Sequence, residues 1–127
     1  MREKLIFAVA PNQAKRVLLV DTSRTDARIC AEHLRRFGYL VDCVDTAGLA
    51  CSYTRNHRYN VIVIALAGDT RSSEVLYRKL RRISPDSAVA YLTRQDGPIP
   101  ELPCHNVLWS EERPEYFLAR LEAITAA

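Results

Sequence analysis

The chain has 127 residues, the size of one domain, and 48% of them are apolar, so it can close a core of its own. Its net charge of +3 is weak and both signs are mixed along the chain, which does not single out nucleic acid as a partner. No apolar run approaches a membrane span.

Residues 1–14 are expected to be an N-terminal extension, with the domain occupying 15–127. Met1 to Lys4 followed by Leu5 to Ala10 resembles a signal peptide only faintly. Pro11 closes that stretch before it reaches the length of a usual apolar segment, so the expected compartment is cytoplasmic.

Val17-Leu18-Leu19-Val20 is the first strand expected. After Thr25, the positions Ala27, Cys30, Ala31 and Leu34 follow helical spacing, and Gly38 ends that helix. Leu40 to Val44 alternates weakly and reads as a more exposed strand. Ala47 to Arg55 is a weaker helix, because Gly48 costs helix stability and Asn56 fits a stop. Val61 to Leu66 is a continuous apolar run, suited to a strand covered on both faces. Ser73 to Arg82 is the next helix, expected to turn Val75, Leu76, Leu80 and Ile83 to the core. Ala88 to Leu92 and Asn106 to Trp109 are further strands. Between them, Thr93 to His105 holds Pro98, Pro100 and Pro103 and cannot form a helix interior. Pro114 to Ile124 is the last helix, with Phe117, Leu118, Leu121 and Ile124 on its apolar side.

Strands alternating with helices predict an α/β fold with a parallel sheet and right-handed crossovers. In such a sheet the functional crevice lies at the carboxyl ends of the strands, where the strand order reverses.

Several stretches together resemble the receiver domains of response regulators in two-component signalling. Val17 to Asp26 looks like the family's first strand and acidic turn. Tyr59-Asn60-Val61-Ile62-Val63-Ile64-Ala65 looks like its Tyr-Asp-Leu-Val-Ile-Leu-Asp strand. Ser84-Pro85-Asp86 and Ala88 to Thr93 resemble its fourth strand, and Pro114 to Leu121 its final helix. The likeness runs from Lys15 to Ala123. It implies a flavodoxin-like (βα)5 doubly wound parallel sheet with strand order 2-1-3-4-5. The proline-rich loop stands where the family has helix 4.

Receiver chemistry needs a carboxylate that attacks a phosphoryl group, and Mg²⁺ held by further carboxylates. A hydroxyl and a lysine then hold the transferred group. The resemblance places these roles on Asp21 and Thr22 for the acidic pair, Ala65 for the acceptor, Thr93 for the hydroxyl and Ser110 for the lysine. Only Asp21 and Thr93 keep the side chains the chemistry requires. No metal, cofactor or catalytic residue is therefore expected. The implied role is a phosphorylation-independent pseudo-receiver, a non-enzymatic module for protein interaction or dimerisation. Two alternatives are an atypical acceptor, Asp69, and a small molecule bound in the emptied crevice.

The family's signalling face must be remodelled here. Ile99 and Leu102 of the loop, Val107 at the switch-aromatic position, Trp109, Arg113, Tyr116 and Arg120 form the candidate interaction face, for a protein partner or a second copy of the chain. Nucleic acid and membrane are not expected as partners. Arg78-Lys79-Leu80-Arg81-Arg82, with Arg35-Arg36 elsewhere, could form a basic patch, although a solvated helix face is the simpler reading. Cys30, Cys43, Cys51 and Cys104 lack C-x-x-C spacing and read as reduced thiols rather than zinc ligands. His33, His57 and His105 have no acid or nucleophile pattern around them.

Overall fold

Branched and apolar side chains in unbroken succession are stable as a strand only when both faces are covered. The computed structural model describes residues 15–22, 27–66, 70–94 and 106–126 and supplies that cover. Strands β1 (Arg16–Val20), β2 (Leu40–Val44), β3 (Val61–Ala65), β4 (Ala88–Thr93) and β5 (Val107–Trp109) form one sheet in the order β2-β1-β3-β4-β5. Every neighbouring pair is parallel. Helices α1 (Ala27–Arg36), α2 (Ala47–Asn56), α3 (Thr70–Ile83) and α4 (Pro114–Ala126) lie between and after the strands.

The two-residue period of each strand sends alternate side chains to opposite layers. Val17, Leu19, Val61, Val63, Ala65, Ala90 and Leu92 pack with Ala27, Cys30, Ala31 and Leu34 of α1 and Phe117 and Leu121 of α4. Leu18, Val20, Ile62, Ile64, Val89 and Tyr91 pack with Ala50 of α2 and Leu76 and Leu80 of α3. The sheet is thus doubly wound, as expected, with α1 and α4 on one face and α2 and α3 on the other.

Helix ends follow from local chemistry. At the end of α1, Gly38 takes φ +93°, a conformation that a Cβ makes costly. The Gly38 N–H donates to the Arg35 carbonyl, and the Tyr39 N–H donates to the Leu34 carbonyl (3.0 and 3.1 Å). This is a complete Schellman closure, with Leu34 and Tyr39 both buried beneath it. At the start of α2, the Thr46 hydroxyl accepts from the Leu49 N–H at 3.0 Å.

Three sequence expectations change. Helix α3 begins at Thr70 rather than Ser73. Val75 is 48% exposed, because Leu76 and Leu80 set the buried side and Val75 lies on the other. Arg35-Arg36 and the α3 cations belong to opposite layers, so they form no common patch. The proline-rich loop, with Ile99, Leu102, Cys104 and His105, lies outside the described residues, as do residues 1–14 and Asp69. Among the described residues, no helix is long and apolar enough to cross a membrane.

Candidate functional site

The register of the sheet brings the five crevice residues into one row. Val20 pairs with Ile64, so Asp21 follows β1 beside Ala65 at the end of β3. Ala65 pairs with Leu92, which places Thr93 next along the edge. Thr93 pairs with Trp109, and the Ser110 N–H donates to the Thr93 carbonyl at 2.9 Å. On the other side, the Asp21 N–H donates to the Val44 carbonyl at 2.9 Å. The row at the carboxyl edge therefore reads Asp21, Ala65, Thr93, Ser110, with Thr22 just beyond Asp21.

Their surroundings differ. Ala65 is 4% exposed and Thr93 is 3% exposed, whereas Asp21 and Ser110 are half-buried and Thr22 is exposed. The Ala65 methyl belongs to the apolar cluster under α1 and α4. The Thr93 hydroxyl turns back toward the Arg94 carbonyl at 3.4 Å. Beyond the row, Arg94 and Glu111 approach to 3.8 Å, an ion pair linking the residues that follow Thr93 and Ser110. Sequence reasoning passed over Arg94; its only signal was its place directly after the hydroxyl position.

A hard divalent cation takes several oxygen ligands, mostly carboxylates. The row offers the single carboxylate of Asp21, so its donor set does not fit such an ion. A second carboxylate, Asp45, shares with Asp21 a cavity of about 760 Å³ between α1 and α2. That cavity is lined by the apolar side chains of Ile29, Leu49 and Tyr53, with Arg28 and Cys43. Of the five crevice residues only Asp21 reaches it. Among the described residues, no group of three or more His, Cys, Asp or Glu side chains is placed to hold a metal.

The resulting architecture is a five-stranded 2-1-3-4-5 sheet with its residue row at the switch between β1 and β3. The solved structures it resembles include several receiver domains. The fold is that of response-regulator receiver domains. A putative response regulator from Chloroflexus aurantiacus is 22% identical, with a TM-score of 0.73, covering 90% of this chain and 99% of its own. The chemotaxis protein CheY4 from Vibrio cholerae is 19% identical, with a TM-score of 0.73 over 87% of this chain and 98% of its own. A response regulator from Burkholderia pseudomallei, whose structure holds a phosphorylated aspartic acid, a calcium ion and citrate, is 22% identical, with a TM-score of 0.70 over 88% of this chain and 69% of its own. No protein-family profile and no curated protein sequence matches the chain. At these identities the likeness is one of fold.

On the receiver fold, the described members of the candidate interaction face gather at the β5–α4 edge. Val107 and Trp109 point to the α3 side of the sheet and are half-buried. Tyr116 is 58% exposed, and Arg113 is exposed beside the start of α4. Arg120 is already engaged. Its Nη2 and Nε donate to the Glu112 carboxylate at 2.7 and 3.1 Å, and this bond holds its guanidinium protonated even more firmly than usual. It braces the turn between β5 and α4 and offers less to a partner than Arg113 does.

Among the described residues, the cysteines and histidines belong to no cluster placed to hold a metal. Cys30 is buried in the α1 core, Cys51 is half-buried, and Cys43 is exposed on the edge strand. His57 lies between Tyr53 and Tyr59, tilted to the first ring and edge-on to the second, with centroids 5.8 and 6.2 Å away.

Proposed function

We propose that this chain is a pseudo-receiver: a phosphorylation-independent, non-catalytic binding module of signal transduction, acting in the cytoplasm. The observation that carries this reading is Ala65. It ends β3 at the position where the resemblance places the phosphoryl acceptor, and a buried methyl group has no lone pair with which to attack phosphorus. Thr22 and Ser110 support it, since they remove the second metal carboxylate and the ammonium that would hold the phosphoryl group. Signalling then proceeds through surfaces. The β5–α4 edge, with Trp109, Arg113 and Tyr116, suits a protein partner or a second copy of the chain.

The test is incubation with Mg²⁺ and acetyl phosphate, followed by intact mass and thermal melting. The expected result is an unchanged mass and an unchanged melting temperature. One added phosphoryl group, Asp69 being the nearest acceptor by sequence, would overturn the reading. So would a Mg²⁺-dependent rise in melting temperature, because a ligand of the native state must stabilise it. A second reading, small-molecule binding, is favoured by the cavity between α1 and α2 rather than by the crevice itself. Saturable stabilisation by a metabolite, abolished by Leu49→Arg, is the result that supports it.

A further inference from the structure

Helix α3 concentrates the charge of the chain. Its sequence, TRSSEVLYRKLRRI, carries five cations against the single carboxylate of Glu74, a net of +4, whereas the whole chain carries +3. Leu76 and Leu80 anchor one side of the helix in the core. At 100° per residue, Arg71, Val75, Arg78 and Arg82 fall on the side away from Leu76 and Leu80, Lys79 flanks them one turn after Val75, and all five are exposed. From Arg71 to Arg82 the stripe is about 16 Å long at the helical rise. Arg78, Lys79 and Arg82 make no ion pair among the described residues, while Arg81 turns aside to donate to the Ser87 carbonyl at 2.9 Å. Unpaired like charges on one helical face repel one another and cost stability. Val75, 48% exposed, sits among them as the one apolar side chain of the stripe.

We infer that the outward face of α3 is a docking surface for an acidic segment of a partner protein, one that seats an apolar side chain on Val75 and sets carboxylates against Arg78, Lys79 and Arg82. An apolar centre within a charged rim is the layout of protein interfaces. Nucleic acid is the weaker fit. The stripe has no aromatic side chain for base stacking, and the chain's pI of about 8.8 falls short of a strongly basic nucleic-acid domain. The inference rests on the pseudo-receiver reading in taking binding as the domain's output. It places that output on α3 rather than on the β5–α4 edge.

The probe is a fluorescein-labelled glutamate-rich peptide with one central leucine, titrated with the full chain in anisotropy measurements without Mg²⁺ or phosphodonor. Short duplex DNA is the competing probe. Three predicted ion pairs of ordinary surface strength together correspond to about a tenfold loss of affinity when reversed. The expected result is peptide binding that weakens about tenfold in the combined Arg78→Glu, Lys79→Glu and Arg82→Glu variant. It also weakens in Val75→Asp and between about 50 and about 200 mM salt. Reversal of Lys15, Arg36 and Arg58, exposed elsewhere, leaves it unchanged. If the triple reversal does not fold, the glutamine triple takes its place. No peptide binding at low salt, equal loss in the control variant, an indifferent Val75→Asp, or tighter binding of DNA than of peptide would each overturn the inference. Phosphoryl uptake is read in a separate measurement, so failure of the pseudo-receiver reading and failure of this docking surface are told apart.

Discussion

Tyr59 shows how a single side chain ties together the amino edge of the sheet. Its hydroxyl donates to Asp42 Oδ2 at 2.6 Å, while Arg16 lies over its ring at 5.5 Å and approaches the same carboxylate at 3.5 Å. Burial is the main cause that pushes the Tyr59 phenol well above the ordinary tyrosine value, and the bond to Asp42 adds to it. Tyr39 is pushed in the same direction by burial and then by Glu122. The unfolded chain gives up these protons near the ordinary value of 10.0, and the folded chain keeps them to higher pH. Their contribution is therefore complete below about pH 10 and is lost as the pH rises beyond it. Urea unfolding across that range is expected to show falling stability above pH 10, with a shallower fall in Tyr59→Phe. At neutral pH the same variant is expected to lose about 1.5 to 3 kcal/mol, the usual worth of a hydrogen bond to a charged group. An equally steep alkaline fall in Tyr59→Phe would refute the assignment. The candidate site was also legible residue by residue: Asp21, Ala65, Thr93 and Ser110 were named from sequence, and the sheet brings them into one row. The Arg94–Glu111 pair was not legible, because two exposed charges 17 positions apart announce nothing until β4 and β5 lie side by side.

At the scale of an element, the edge strand β2 is the exposed end of the sheet. Leu40 and Val44 bond to the backbone of β1 on either side, so the intervening Val41 turns its carbonyl outward. An outward row of carbonyl and amide groups invites another strand. Arg35, in the last turn of α1, reaches over and donates to the Val41 carbonyl at 2.8 Å. Arg35→Ala is expected to free that carbonyl and raise self-association, measured by sedimentation over a range of concentrations. An unchanged monomer fraction would show that the bond is incidental to protecting the edge. The same arginine pair had been weighed in sequence as part of a basic patch. Arg35 reaches its partner because the Schellman turn at Gly38 brings α1 back along β2.

At the scale of the molecule, two apolar layers hold one sheet, and α4 closes the first of them. Leu121 is fully buried against the sheet with Phe117 and Leu108. Leu121→Ala is expected to cost about 2 to 5 kcal/mol in urea unfolding, as for other large-to-small changes in a packed core. A loss below about 1 kcal/mol would mean that α4 is only loosely docked. Because α4 also carries Tyr116 and Arg120, that packing fixes the β5–α4 edge as a surface.

The sequence by itself determined the order of strands and helices, the parallel sheet and the side of α1 that is buried. Those properties follow from local periodicity, and Ala27, Cys30, Ala31 and Leu34 are buried just where the helical spacing puts them. It also determined the side chains of the row, because the methyl group that ends β3 at Ala65 is a methyl group in any conformation. The tertiary structure decided what depends on neighbours distant in sequence. It turned Val75 outward, since the width of the α3 core contact is set by the sheet beneath it rather than by the helix's own pattern. It separated the α1 arginines from the α3 cations by placing the sheet between them, leaving α3 as a charged face with an apolar centre.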